Sequence, residues 1–129
     1  MKENREIYIL DTSALLTYIE DENGSDYVEN LLIKAEKEEV LIYIAFISLT
    51  EVFYITAKEK DESEALRRIM LIQSLSVRIV ESDENLNIAA GKLKAKNIMS
   101  LADAYKRRYV KNIPEYLSIK TPNLKKCHL

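Results

Sequence analysis

The chain has 129 residues, of which 47% are hydrophobic and only four are Gly or Pro, so it can form one domain with a real core and is not a linker-rich or low-complexity protein. The chain contains one Cys and one His, adjacent at positions 127 and 128, so an internal disulfide and a cysteine-based zinc cluster are excluded. With so few other reactive side chains, any catalysis would depend on carboxylates. No apolar run approaches the ~20 residues that span a bilayer, and residues 7–10 are too short for a signal peptide, so we expect a cytoplasmic protein without membrane contact.

Charge is distributed unevenly along the chain. Residues 1–103 hold 12 basic and 20 acidic side chains, a net charge of −8, whereas residues 104–129 hold 7 basic side chains and 1 acidic one, a net charge of +6. A basic segment of this kind hints at a polyanionic partner.

Short apolar runs alternate with segments of helical periodicity. The apolar runs predict buried strands at residues 7–10, 40–44 and 77–80. The periodic segments predict helices at residues 11–19, 25–39, 48–60, 61–74 and 83–96 and from residue 100 onward. Strands separated by one or two helices predict a three-layer α/β/α fold with a central parallel sheet. Residues 116–119 are a candidate for one more edge strand.

Three acidic residues occur where predicted helices begin. Asp11 follows the first strand, Glu51 ends a Ser-Leu-Thr-Glu sequence, and Asp103 ends a Ser-Leu-Ala-Asp sequence. In open parallel sheets, ligands gather at the carboxyl ends of the strands, where helix N-termini favour ionised carboxylates. Ionised oxygens are the ligands that Mg²⁺ and Mn²⁺ require. We therefore predict that the three carboxylates converge on one divalent-metal site.

The same residues could instead be helix caps. Ser-x-x-Glu is a capping box, and an Asp before a helix is an ordinary N-cap. Asp61, in a charged run, shows how a simple cap looks. Asp11 and Glu51 differ because apolar residues precede them and no Lys or Arg lies close in sequence on the inner faces. A bound cation would offset the cost of burying such carboxylates.

These segments resemble the PIN-domain ribonucleases, particularly the VapC-type toxins of toxin–antitoxin systems. In that family an apolar strand ends in Asp-Thr-Ser or Asp-Ser-Ser, a Glu lies in the first turn of a mid-chain helix, and a later helix begins with Leu-Ala-Asp-Ala. The corresponding residues here are Asp11-Thr12-Ser13, Glu51 and the sequence around Asp103, and the match covers residues 7–104.

The resemblance implies a metal-dependent endoribonuclease that cleaves single-stranded RNA. Asp11, Glu51 and Asp103 would hold Mg²⁺ or Mn²⁺ and be the catalytic residues, and Thr12 or Ser13 would orient Asp11 or a phosphate. The family also implies an antitoxin protein as partner and a homodimer.

The last quarter of the chain departs from the family pattern. Members usually carry a fourth acid, whereas the only acid beyond Asp103 is Glu115, and Lys126 stands where an acid is expected. An altered reading frame after about Tyr105 is one interpretation of this change. A catalytically weakened domain that binds RNA or a partner protein is the alternative function. A phosphohydrolase with Asp11 as nucleophile is a third.

A basic cluster replaces the family's small residues after the third acid. If the last helix continues, Arg107 and Lys111 share one face with Arg108 beside them, and the three side chains are candidates for RNA binding. A solvated helix face is the competing interpretation.

Overall fold

The computed structural model describes residues 5–111 and 119–120. The strands in these ranges are β1 (Glu6–Ile9), β2 (Val40–Ala45), β3 (Arg78–Val80) and β4 (Ile119–Lys120). The helices are α1 (Thr12–Ile19), α2 (Ser25–Glu36), α3 (Phe46–Glu59), α4 (Glu62–Ser74), α5 (Glu84–Lys96) and α6 (Leu101–Lys111). Of the predicted edge strand, residues 116–118 lie outside the described residues, as do Glu115 and residues 121–129.

The four strands form one parallel sheet in the order β3-β2-β1-β4. β1 lies between two strands, with Tyr8 opposite Ile42 on β2. The predictions of a parallel sheet and of a buried first strand are confirmed. Leu10 ends the predicted strand but falls just beyond β1, although its N–H still donates to the carbonyl of Tyr43 at 3.1 Å.

Helices cover both faces of this sheet because its strands alternate two sets of apolar side chains. Tyr8 and Leu10 face a core shared with buried residues of α1, α2, α3 and α4, whereas Ile7 and Ile9 face a smaller core closed by Tyr109 of α6. Full burial of one such aliphatic side chain contributes roughly 1.5–3 kcal/mol. The three-layer α/β/α arrangement predicted from the sequence is therefore confirmed.

Local signals account for most helix boundaries. Asp61 and Asp83 cap α4 and α5 by accepting a hydrogen bond at 2.7 Å from the backbone N–H three residues later. α2 ends at Glu36, three residues before its predicted end, because Glu38 adopts a left-handed φ of 61°. No helix among the described residues is long and apolar enough to cross a membrane.

Candidate functional site

An acidic pocket of about 530 Å³ opens where β1 and β2 end. Each strand leads almost directly into a helix, α1 and α3 respectively. α1 contributes to the walls from its first turn, and α3 contributes from its second turn onward, beginning with Glu51. Lys106 of α6 also lines the pocket. Its lining includes five carboxylates and one ammonium group, from Asp11, Glu20, Glu22, Glu51, Glu59 and Lys106.

Asp11 is the N-cap of α1 and lines the pocket. Its Oδ1 accepts a hydrogen bond of 2.9 Å from the backbone N–H of Ala14. Capping engages one of the two carboxylate oxygens, so it fixes the side chain and is compatible with a ligand role for the other oxygen. Ser13 is exposed and also lines the pocket.

Glu51 does not cap its helix. α3 begins at Phe46, so Glu51 lies in the second helical turn, and the N-cap position belongs to Ala45, which makes no side-chain cap bond. The helix starts two residues earlier than predicted because β2 runs into it without a loop. Glu51 therefore has no capping role that explains its placement in the pocket.

Two donors converge on one oxygen of Glu51. The hydroxyl of Thr12 donates to Oε1 at 2.6 Å, and Nζ of Lys106 lies 2.7 Å from the same atom. The side chain of Glu51 is 18% exposed, so both contacts are largely shielded from water. No local sequence pattern identifies Lys106 as this partner, because it lies on α6, far along the chain, and only the fold brings it to α3.

Asp103 lies in the first turn of α6 and is exposed. Its backbone N–H donates to Oγ of Ser100 at 3.0 Å, so Ser100 provides the cap. The residues that line the acidic pocket do not include Asp103, and within residues 5–111 and 119–120 no three His, Cys, Asp or Glu side chains are grouped as metal ligands. Lys106 follows Asp103 by one helical turn on the same face. The structure thus brings two predicted ligands to one pocket, and the convergence of all three stays a prediction.

The basic cluster is helical as far as Lys111, as the predicted shared face of Arg107 and Lys111 requires. Arg107 and Lys111 are exposed at i, i+4 positions, whereas Arg108 is partly buried. The two exposed side chains therefore form the accessible part of the cluster.

A second, smaller cavity of about 180 Å³ adjoins the acidic pocket and shares Asp11 and Lys106 with it. Tyr109 lines it, 4% exposed, and its hydroxyl has no hydrogen-bond partner among the described residues. Burial, with a smaller contribution from Tyr43, raises the pKa of the Tyr109 phenol well above its ordinary value. The phenol is therefore protonated at neutral pH.

A buried arginine supports the far wall of the acidic pocket. Arg68 of α4 is 4% exposed, and its Nη1 donates to Glu20 and to the hydroxyl of Thr56, both at 3.3 Å. Its Nε donates to Glu64 at 3.1 Å. Because Glu20 lines the pocket and terminates α1, this arginine connects α4 to the pocket wall.

These features define a class of protein, a three-layer α/β domain with an acidic pocket at the carboxyl edge of its parallel sheet. The chain belongs to the PIN domain family, whose sequence pattern it matches over residues 8–110. No curated protein matches the chain in sequence.

Solved structures share the fold at low sequence identity. The chain resembles VapBC from Salmonella typhimurium bound to DNA, with 15% identity and a TM-score of 0.61, over 90% of this chain and 98% of that one. It resembles VapBC2 from Rickettsia felis, bound to a DNA fragment from its promoter, with 19% identity and a TM-score of 0.57, over 89% and 98%. It also resembles VapC20 from Mycobacterium tuberculosis, described as a toxin that cleaves the Sarcin-Ricin loop, with 15% identity and a TM-score of 0.56, over 81% and 82%.

Proposed function

We propose that this PIN domain is a cytoplasmic endoribonuclease that cleaves single-stranded RNA with Mg²⁺ or Mn²⁺ and acts as the toxin of a toxin–antitoxin pair. The observation that carries the proposal is the meeting of Asp11 and Glu51, from different elements, in one acidic pocket at the carboxyl edge of the sheet. Structural likeness to a toxin that cleaves the Sarcin-Ricin loop, and to VapBC assemblies, supports the RNA substrate and the antitoxin partner.

The donor set fits a hard divalent cation. Two of the predicted ligands, Asp11 and Glu51, line the pocket, and the Lys106 ammonium group lies beside Glu51, so this position accommodates positive charge. Asp11 and Glu51 would hold the ion, with Asp103 as a third ligand from the first turn of α6. When bound, the ion supplies Lewis acidity and lowers the pKa of an attacking water.

Electrostatics explain why a nuclease with this pocket needs a cation. Five carboxylates and one lysine line the pocket, so the phosphodiester of RNA meets net negative charge there. The Ala14 N–H holds Asp11, and Thr12 holds Glu51, so both carboxylates are oriented before any ligand arrives. The exposed Arg107 and Lys111 provide phosphate contacts outside the pocket.

The decisive assay compares the wild type with Asp11→Asn and with Asp83→Asn, a matched control in the N-cap of α5 outside the pocket. Asn retains the capping acceptor, so both variants should fold. We expect Asp11→Asn to abolish cleavage of single-stranded RNA and Asp83→Asn to retain it. Mn²⁺ should support more cleavage than Mg²⁺ because it tolerates irregular geometry better, and EDTA should stop the reaction. Equal cleavage by all three proteins would contradict the proposal.

A second candidate is a catalytically weakened PIN domain that binds RNA or a partner protein. It is favoured by the ion pair between Glu51 and Lys106 and by the exposed position of Asp103 outside the pocket lining. A wild-type protein that binds single-stranded RNA but does not cleave it at any Mn²⁺ concentration would support this candidate over the nuclease.

A further inference from the structure

We propose that Lys106 is a built-in competitor for the divalent cation, because its ammonium group pairs with the Glu51 carboxylate that the ion would use. The inference rests on the proposed function, since it presupposes a metal site that includes Glu51. It adds a residue that sets how tightly this domain holds its ion.

The ammonium group of Lys106 lies close to where an ion bound to Glu51 would lie. Nζ of Lys106 lies 2.7 Å from Oε1 of Glu51, and that oxygen also accepts the Thr12 hydroxyl at 2.6 Å. A divalent ion coordinates carboxylate oxygens at about 2.0–2.6 Å, so an ion on either oxygen of Glu51 would lie within a few ångströms of Nζ. Repulsion at that distance is strong in a shielded site, so the lysine has to leave as the ion enters.

The lysine has room to leave. Its side chain is 30% exposed, more than the 18% of Glu51, and it borders both the acidic pocket and the adjoining 180 Å³ cavity. Its flexible four-carbon stem lets Nζ move while α6 stays in place. Glu51 is held by Thr12 and has less freedom. Displacement of the ammonium group, rather than of the carboxylate, is therefore the easier change.

A purely structural ion pair between α3 and α6 is the alternative. Ion pairs at protein surfaces contribute about 0–1 kcal/mol to stability, and this pair is partly buried. A structural role alone leaves the metal affinity of the pocket unchanged or weaker when the pair is broken. Competition predicts the opposite sign, so removal of the lysine should tighten metal binding. The sign of the change separates the two roles.

Direct Mn²⁺ binding by isothermal titration calorimetry tests the inference without any use of activity. The proteins are the wild type, Lys106→Met and Lys92→Met, an exposed lysine of α5 outside both cavities that changes the net charge equally. We expect Lys106→Met to bind Mn²⁺ roughly tenfold more tightly than the wild type, and Lys92→Met to match the wild type within about twofold. Equal affinities in all three proteins, or weaker binding by Lys106→Met, would overturn the inference and leave the metal site standing.

A second measurement keeps the inference testable if Lys106→Met does not fold. Acetylation of lysines in the wild-type protein, followed by mass spectrometry, should show Lys106 becoming several-fold more reactive when Mg²⁺ is added, with Lys92 as the internal reference. Unchanged reactivity of Lys106 at saturating Mg²⁺ would overturn the inference. Absence of any Mn²⁺ binding by the wild type and by Lys106→Met would overturn both this inference and the proposed nuclease.

Discussion

At the scale of single residues, Thr12 illustrates how one hydroxyl orients a candidate ligand. It is 7% exposed, and its hydroxyl donates to Glu51 at 2.6 Å. Its neighbour Asp11 is held by the Ala14 N–H, so the Asp-Thr pair orients two of the pocket's carboxylates, those of Asp11 and Glu51. The family resemblance implies that Asp11 is a ligand and that Thr12 or Ser13 orients Asp11 or a phosphate. In the structure, the Thr12 hydroxyl donates its hydrogen bond to Glu51 and not to Asp11.

We predict that Thr12→Val lowers the free energy of unfolding by about 1–3 kcal/mol, because it removes a hydrogen bond to a charged group and keeps the shape of the side chain. Urea denaturation followed by circular dichroism measures the change. Thr17→Val, another buried threonine of α1, is the matched control and should have a smaller effect. Equal losses in the two variants would show that the bond to Glu51 contributes nothing.

At the scale of elements, Arg68 joins three helices through its partners on α1, α3 and α4. Thr56, one of those partners, is fully buried, and without the arginine its hydroxyl would lose its partner. Neighbouring Arg67 pairs with Glu64 as well, but its side chain is 61% exposed. The two adjacent arginines therefore differ mainly in burial.

Arg68→Met should lower the free energy of unfolding by roughly 2–4 kcal/mol, because Glu20, Thr56 and Glu64 would each lose the hydrogen bond from the buried guanidinium group. Arg67→Met is the matched control, and removal of its surface pair should cost about 0–1 kcal/mol. Chemical denaturation of both variants tests the difference. A loss in Arg68→Met no larger than in Arg67→Met would contradict the joining role.

The exposed basic side chains of α6 are the predicted RNA-binding surface. Replacement of both Arg107 and Lys111 by Ala should weaken binding of single-stranded RNA. It should also make the slope of log affinity against log salt shallower by about 0.7 for each lost phosphate contact. Fluorescence anisotropy at several salt concentrations measures both effects. The double variant Lys92→Ala, Lys96→Ala on α5 is the control for net charge, and an equal slope in the two variants would show that α6 is not the contact surface.

At the scale of the whole molecule, acid stability depends in part on Glu64. Hydrogen bonds from Arg67 first and Arg68 second hold the pKa of Glu64 at about 2, against an ordinary value of 4.5. A lowered pKa in the folded protein means that this carboxylate stabilises the fold above pH 4.5. That contribution is lost as the pH falls from 4.5 to about 2.

Glu64→Gln should therefore lower stability at neutral pH and flatten the decline of stability between pH 4.5 and about 2. Thermal unfolding across this pH range measures the effect. Glu62→Gln, in the same first turn of α4, is the matched control for the helix dipole and should keep the wild-type slope. The same slope in wild type and Glu64→Gln would contradict the assignment.

Short-range sequence signals by themselves determined the strands, several helix starts and the family of this protein. Continuous apolar runs specified the strands, and the Asp61 cap marked the start of α4, because both signals act over a few residues. The three short sequences around Asp11, Glu51 and Asp103 are enough to indicate the family. The C-terminal end of α2 was not predicted correctly. Its left-handed residue is Glu38, and only a Gly at such a position would have marked the helix end in the sequence.

Only the tertiary structure decided how the pocket is assembled. It gave Glu51 the partner Lys106, buried Arg68 against Thr56, and left Asp103 exposed and outside the pocket lining. Such contacts join residues far apart in sequence, and they depend on the order of strands in the sheet and on the packing of α6 against one face of the sheet. No local pattern encodes that order, so the acidic residues could be named from the sequence while the cation beside them could not.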